Sequence, residues 1–407
     1  MPKLLQINVC VNQGSTGRIA EQIGEAAISC GWDSYIAYGR GAGKSNSKTI
    51  KICSKIGICI HALLTRLTDR HGLFSTRATR KLVKQIEEIK PDIIHLHNIH
   101  GYYLNYKVLF EYLNKSNIPV VWTLHDCWTM TGHCTHFEYA KCNKWRTECY
   151  NCPEKRSYPT SWLMDRSKKN YINKKQNFSA IKNLTIVPVS NWLGSIVQNS
   201  FLKDKRVNVI QNGIDIRTFQ PIASNSLIEQ YNLAVKRIIL GVASPWSSKK
   251  GLRDFVKLYD GLDSTRYQIV LIGLNKEQTQ QLPNGILGLE RTNSVEELAK
   301  WYSAANVFVN LTYEDTYPTT NLEAISCGTP VVTYRTGGSP ESVTSQTGRV
   351  VEQGNIEAVA KAIEELCTED RDAMRTRCRE YAVAHFDKRE CFERYIKLYE
   401  QILTKNK

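Results

Sequence analysis

Two rhythms alternate along this chain: short apolar runs, and longer stretches with apolar residues at helical spacing. Leu4–Val11 is a near-continuous apolar run and predicts a buried strand. After the polar turn Asn12–Arg18, Ile19, Ile23, Ala26 and Ala27 fall on one helical face. Further strands are predicted at Ser34–Tyr38, Ile93–Leu96, Val120–Leu124, Val187–Val189 and Val207–Ile210. A second set runs Ile238–Val242, Ile269–Ile272, Val307–Asn310 and Val331–Thr333. Apolar strands separated by helices predict parallel sheets covered on both faces. Two such sets predict an α/β protein of two doubly wound domains. Gln211–Ser226, with Gly213, Pro221 and a Ser-Asn-Ser run, has linker composition. Lys388–Leu403 reads as an amphipathic helix, with Phe392, Tyr395, Ile396, Tyr399 and Leu403 near helical spacing. Only Cys127–Ser161 fits neither rhythm.

A length of 407 residues suits two domains, and 42% apolar with 23% charged residues excludes collagen, coiled coil and wholesale disorder. No apolar run approaches the ~18 residues of a membrane helix. Met1-Pro2-Lys3 runs straight into the first strand without a signal-peptide pattern, so a cytoplasmic chain is expected. Charge changes the picture more. Residues 1–195 hold 27 Lys and Arg against 13 Asp and Glu, whereas residues 196–407 hold 27 against 26. A basic first half points to an anionic partner, with a merely solvated face as the alternative. Of the 13 cysteines, Cys127, Cys134, Cys142, Cys149 and Cys152 crowd into 26 residues. Cys134, Cys142, Cys149 and Cys152 would suit a closed structural zinc site, with free thiols or a conditional disulfide as the alternatives.

Doubly wound sheets bind ligands beyond the carboxyl ends of their strands, so candidate chemistry is sought there. Gly14-Ser15-Thr16-Gly17 opens a helix after the first strand and suits an anion. His125, in Thr123-Leu124-His125-Asp126, ends a strand where it could contact a hydroxyl or a developing charge; a framework role is the alternative. Lys249 and Lys250 precede Gly251 at a helix start and could reach phosphate oxygens. Asp315 and Glu323 flank a turn and a helix start, and a carboxylate there can accept two vicinal ribose hydroxyls; a surface Glu is the alternative. Glu323 is expected about two turns into its helix.

The order Gly14–Gly17, Thr123–Asp126, Asn212–Asp215, Lys250-Gly251, Asp315-x7-Glu323, Gly328–Val332 and Gly337–Glu341 resembles family 4 glycosyltransferases over essentially the whole length. The Cys-rich segment 127–161 and the run Glu314–Asn321 are similar to members that build bacterial exopolysaccharide, of the colanic-acid type. The resemblance implies the GT-B architecture: two Rossmann-like domains facing across a cleft, 1–213 on the acceptor side and 214–387 binding the nucleotide sugar. Helix 388–407 would pack back onto the first. It implies retaining transfer of a hexose from a nucleotide-diphosphate sugar to a sugar hydroxyl of a glycan or lipid-linked oligosaccharide, without a catalytic cofactor, and with the basic domain resting on acidic membrane at the inner face. Lys250 and Gly17 would meet the diphosphate, Glu323 the ribose, and His125, Asp315, Tyr317, Thr319 and Thr320 the donor sugar. The family's phosphate-binding Arg is replaced by Ser244, for which Lys249 could compensate. A nucleotide-sugar epimerase on the same fold is one alternative. A non-enzymatic binder of nucleic acid is the other, and it is disfavoured because no reader module is present.

Overall fold

In the computed structural model, which describes residues 1–405, the chain divides into two compact units. One comprises Met1–Gln211 with the chain from Cys391 onward; the other is Asn212–Glu390. Residues 406 and 407, the tip of the expected helix 388–407, lie outside the described residues.

The first unit is built on a seven-stranded parallel sheet. Its strands are β1 Lys3–Asn8, β2 Asp33–Tyr38, β3 Lys48–Lys51, β4 Ile93–Leu96, β5 Val120–Leu124, β6 Leu184–Pro188 and β7 Arg206–Val207. The order is β3-β2-β1-β4-β5-β6-β7. The second unit carries β8 Arg237–Val242, β9 Tyr267–Ile272, β10 Ile286–Leu289, β11 Val307–Asn310, β12 Val331–Tyr334 and β13 Gly348–Val351. Its order, β10-β9-β8-β11-β12-β13, repeats the first without sequence repetition. In both sheets the order reverses beside the first strand, between β1 and β4 and between β8 and β11. That reversal opens a crevice at the carboxyl ends.

Strands β3, β10 and β13 are absent from the sequence expectation, and all three are sheet edges. An edge strand needs no long apolar run: the four residues of β3, Lys-Thr-Ile-Lys, are largely exposed. The strand expected at Val207–Ile210 pairs only at Arg206–Val207.

The helix Lys388–Lys405 packs in the first unit. Phe392, Tyr395, Ile396, Leu398, Tyr399 and Ile402 join Leu4, Ile19, Ile23, Trp32, Ile93 and Val121 in one buried cluster. The segment 127–161 is irregular, with single 3-10 turns at Trp128–Met130 and Lys144–Arg146. Side chains organise it: Phe137 stacks on Trp145 with ring centres 5.0 Å apart. Buried Lys174 donates to the carbonyls of Trp128 (2.6 Å) and Thr131 (3.0 Å).

Candidate functional site

The second unit gathers its candidate residues at the crevice between β8 and β11. Gly251 makes this possible. Its φ of +75° favours glycine, and a Cβ there would stand 2.2 Å from the Leu311 carbonyl oxygen. The turn Ser248–Lys250 therefore lies directly on the segment leaving β11, and the Tyr313 N–H donates to the Lys249 carbonyl at 2.8 Å. Two ion pairs follow. Lys250 Nζ lies 2.8 Å from Asp315 Oδ2, and Lys249 Nζ lies 3.0 Å from Glu314 Oε2. Glu314 is buried, whereas Lys249, Lys250 and Asp315 are partly open. The crevice thus holds two ammonium groups matched to two carboxylates.

The next helix, Thr319–Ser326, begins at Pro318 without a side-chain cap. Its first amides have no intrahelical carbonyl, so its N-terminus is electropositive. Thr319 and Thr320 stand in its first turn, half-buried, and Tyr317 is buried just before it. Glu323 is the fifth residue of this helix, nearer its start than the sequence suggests. Its Oε2 accepts a 2.9 Å hydrogen bond from the Tyr302 hydroxyl. Burial, then the Glu323 charge, push the Tyr302 hydroxyl well above its ordinary range, so it remains a donor. Asn321 ties its helix to the end of β11 and to the 3-10 turn Ser339–Ser342. It accepts from Asn310 Nδ2 at 2.8 Å and donates to the Ser339 and Ser342 hydroxyls at 3.0 Å each. The Gly338 N–H donates to the Asp315 carbonyl at 3.3 Å.

In the first unit, Gly14 and Gly17 lie in the opening turn of the helix Gly14–Ser29. Gly17 is packed closely enough that its Cβ would meet Asn12 N and Cys10 O at 3.3 Å. His125, half-buried, follows β5 directly, and its Nε2 sits 3.2 Å from His97 Nδ1, while His97 Nε2 meets Gln6 Oε1 at 3.0 Å. Burial lowers His125 to about 4, so the ring is neutral near neutral pH. A second chain lies beside it. Tyr399 bonds His95 Nδ1 (2.6 Å), His95 Nε2 bonds Thr123 (2.8 Å), and Thr123 donates to Tyr395 (3.1 Å). Asp126 pairs with His100 at 2.8 Å; burial opposes its ionisation, but the His100 charge and hydrogen bond bring it down to about 2.

Cys134, Cys142, Cys149 and Cys152 line one small hollow with Phe137 and Trp145. Among the described residues no group of three or more His, Cys, Asp or Glu is placed to hold a metal ion. Within the cluster Cys134 hydrogen-bonds to Cys152, and Cys149 accepts the Gly132 N–H at 3.2 Å.

Tyr302, Glu314 and Asn321 escape the sequence reading. Tyr302 sits among the apolar residues of its helix and reads as core. Glu314 and Asn321 differ from their neighbours only in what the fold places beside them. His95 lies in β4 and His97 just beyond it, so in sequence they show only as alternate residues at that strand's carboxyl end.

Two family models match the chain: Glycosyltransferase Family 4 over residues 16–218 and Glycosyl transferases group 1 over residues 236–369. A protein described as a colanic acid biosynthesis glycosyl transferase, from Escherichia coli K12, is 25% identical over 374 residues, covering 87% of this chain and 88% of that one. Among solved structures, sucrose-phosphate synthase from Thermosynechococcus elongatus superposes with a TM-score of 0.71 at 19% identity, covering 99% of this chain and all of that one. The Anabaena protein HepE, solved with UDP and glucose, gives 0.66 at 15% identity, covering 98% of this chain and all of that one.

Proposed function

The chain belongs to the family 4 glycosyltransferases, with the GT-B fold, and on that premise we propose that it transfers a hexose from a nucleotide-diphosphate sugar to a sugar hydroxyl. The acceptor is a lipid-linked oligosaccharide in the assembly of an extracellular polysaccharide, and the anomeric configuration is retained. The E. coli relative's description favours polysaccharide assembly, and HepE's bound UDP favours a uridine donor among the alternatives.

One observation supports the reading: the paired lysines of the turn after β8 meet Glu314 and Asp315 on the segment that leads from β11 into the uncapped helix carrying Glu323. Lys250 and Lys249 receive the diphosphate, exchanging Asp315 and Glu314 for phosphate oxygens. As the glycosidic bond to the leaving diphosphate breaks, negative charge grows on its oxygens, and both ammonium groups stabilise it. This pair also supplies the charge that Ser244 leaves unprovided. Glu323, oriented by Tyr302, accepts the two ribose hydroxyls. Asp315 and the backbone of Tyr317, Thr319 and Thr320 hold the donor sugar. Gly17 adds a backbone donor for phosphate. His125, neutral and able to accept or donate, serves the sugar hydroxyls. The acceptor hydroxyl attacks on the face the diphosphate leaves, and the departing oxygens take its proton.

A thermal-shift screen against UDP-, GDP-, ADP- and dTDP-sugars tests the donor, because a ligand that binds only the folded state raises Tm by mass action. One nucleotide series should stabilise the wild type selectively. NMR of the first-formed product should show the donor's anomeric configuration, and an inverted product would overturn retention. An epimerised sugar product formed equally with and without acceptor would favour the epimerase instead.

A further inference from the structure

A neutral imidazole can accept or donate a hydrogen bond, and which of the two His125 does is set by buried groups behind it. The chain of bonds starts at Gln6, inside the apolar run of β1. Gln6 is fully buried, and a buried amide needs partners for both its nitrogen and its oxygen. Its Nε2 donates at 2.8 Å to the carbonyl of Ala20, in the helix Gly14–Ser29. A carbonyl oxygen only accepts, so the amide cannot be turned round. Gln6 Oε1 is therefore the atom that faces His97 Nε2 at 3.0 Å. An amide oxygen also only accepts, and so His97 Nε2 carries a hydrogen.

His97 is almost fully buried. Burial, and after it the His95 and His125 rings, holds it well below the ordinary histidine range, so it is neutral and has one N–H. With that hydrogen on Nε2, its Nδ1 presents a lone pair. Nδ1 lies 3.2 Å from His125 Nε2. The two rings are within 17° of parallel, with centres 5.5 Å apart. That separation is the N···N distance plus a ring radius at either end, so the rings meet edge to edge in one plane rather than face over face. His125 Nε2 is then the donor. His125 is neutral too, because burial lowers it to about 4. Its one hydrogen is engaged with His97, and its Nδ1 carries the lone pair. The neighbouring chain fixes no such direction: His95 bonds the hydroxyls of Tyr399 and Thr123, and a hydroxyl rotates to donate or accept.

We propose that Gln6 and His97 are positioning residues for the transfer: they hold His125 in the Nε2–H tautomer, so that it meets a sugar hydroxyl through Nδ1 as an acceptor. A group that only accepts, such as an ether oxygen or a carboxylate, is disfavoured at that place because two lone pairs would face each other. The positioning role rests on the proposed transfer with His125 at the sugar, whereas the tautomer stands on the hydrogen-bond chain alone.

The test is a long-range proton–nitrogen correlation spectrum of the full chain, labelled with nitrogen-15 histidine, near neutral pH and without sugar nucleotide. The His125 signals, identified by their loss in His125→Asn, should show a pyrrole-type Nε2 and a pyridine-type Nδ1. Gln6→Met keeps the side-chain length but removes the oxygen that fixes His97, and both His125 nitrogens should move to intermediate shifts, the mark of mixed tautomers. His97→Asn, whose amide oxygen can stand in for Nδ1, should keep the wild-type pattern. His97→Phe should lose it, and serves if Gln6→Met folds poorly. In turnover of the sugar nucleotide that stabilises the wild type, Gln6→Met should lower kcat about tenfold with KM nearly unchanged, and His97→Asn should keep most of kcat. A wild-type spectrum with the hydrogen on His125 Nδ1, or lock-breaking variants with the wild-type spectrum, overturns the proposal. So does an unchanged kcat in both Gln6→Met and His97→Phe. Because the spectrum is recorded without donor, its failure is distinct from failure of the donor-site reading.

Discussion

At the scale of single residues, Tyr302 and Gly251 matter most around the candidate site. Tyr302 gives Glu323 one fixed hydrogen bond, and Tyr302→Phe deletes it without opening a cavity. Stability should fall by about 1 kcal/mol. Nucleotide affinity should fall several-fold with little change in protein content of secondary structure, as calorimetric titration would record. Unchanged affinity would mean that Tyr302 does not orient the carboxylate. Gly251→Ala forces a Cβ toward the Leu311 carbonyl in a backbone region that side chains avoid. A loss of roughly 1–3 kcal/mol is expected from such strain, measured by urea unfolding, together with weaker diphosphate binding as Lys249 and Lys250 shift. Lys249, Lys250, Asp315 and His125 stood out in the sequence because each closely follows a strand and carries charge or an imidazole. Partner side chains did not, since nothing in sequence links Tyr302 to Glu323 or Tyr399 to His95; those pairings exist only once helices and strands are packed.

At the scale of elements, strands buried on both faces announce themselves by apolar runs, and β1, β4, β5, β8, β9, β11 and β12 were all readable that way. Edge strands were not. β3, β10 and β13 need only one paired neighbour and little burial, so their sequences carry no distinct pattern. The Lys388–Lys405 helix was readable from its stripe, and its residues form part of the first unit's core. Ile396→Ala should cost about 2–4 kcal/mol through the cavity it leaves. The loss should appear as a lowered unfolding midpoint in denaturant. A change under about half a kcal/mol, the scale of a surface substitution, would show that this helix is not integral to the core.

At the scale of the whole molecule, buried imidazoles couple the first unit to pH. Burial lowers His61 to about 3 and His125 to about 4, and holds His71, His95 and His97 well below the usual range. The unfolded chain protonates these rings below about 6.5 while the folded unit resists, so stability falls as pH drops from about 6.5 toward 4. His133 runs the other way. Burial opposes its charge, but Asp69 outweighs burial and raises it, so its contribution is complete below about 6.5 and fades as pH rises past its folded value. Five rings against one predict a Tm several degrees lower at pH 5 than at pH 7.5 by scanning calorimetry; an equal or higher Tm at pH 5 contradicts it. The paired sheet topology was legible from the alternation of runs. Where the four candidate sulfurs of segment 127–161 point was not legible, because spacing along an irregular segment does not fix it.

The central claim is that the turn Lys249-Lys250 and the helix carrying Glu323 together grip a nucleoside diphosphate. Isothermal titration of the wild type, Lys250→Ala and Glu323→Ala with UDP and GDP tests it most directly. The wild type should bind one of them, and each variant, still folded by circular dichroism, should lose at least tenfold in affinity. Variants that bind the same nucleotide as tightly as the wild type would contradict the claim.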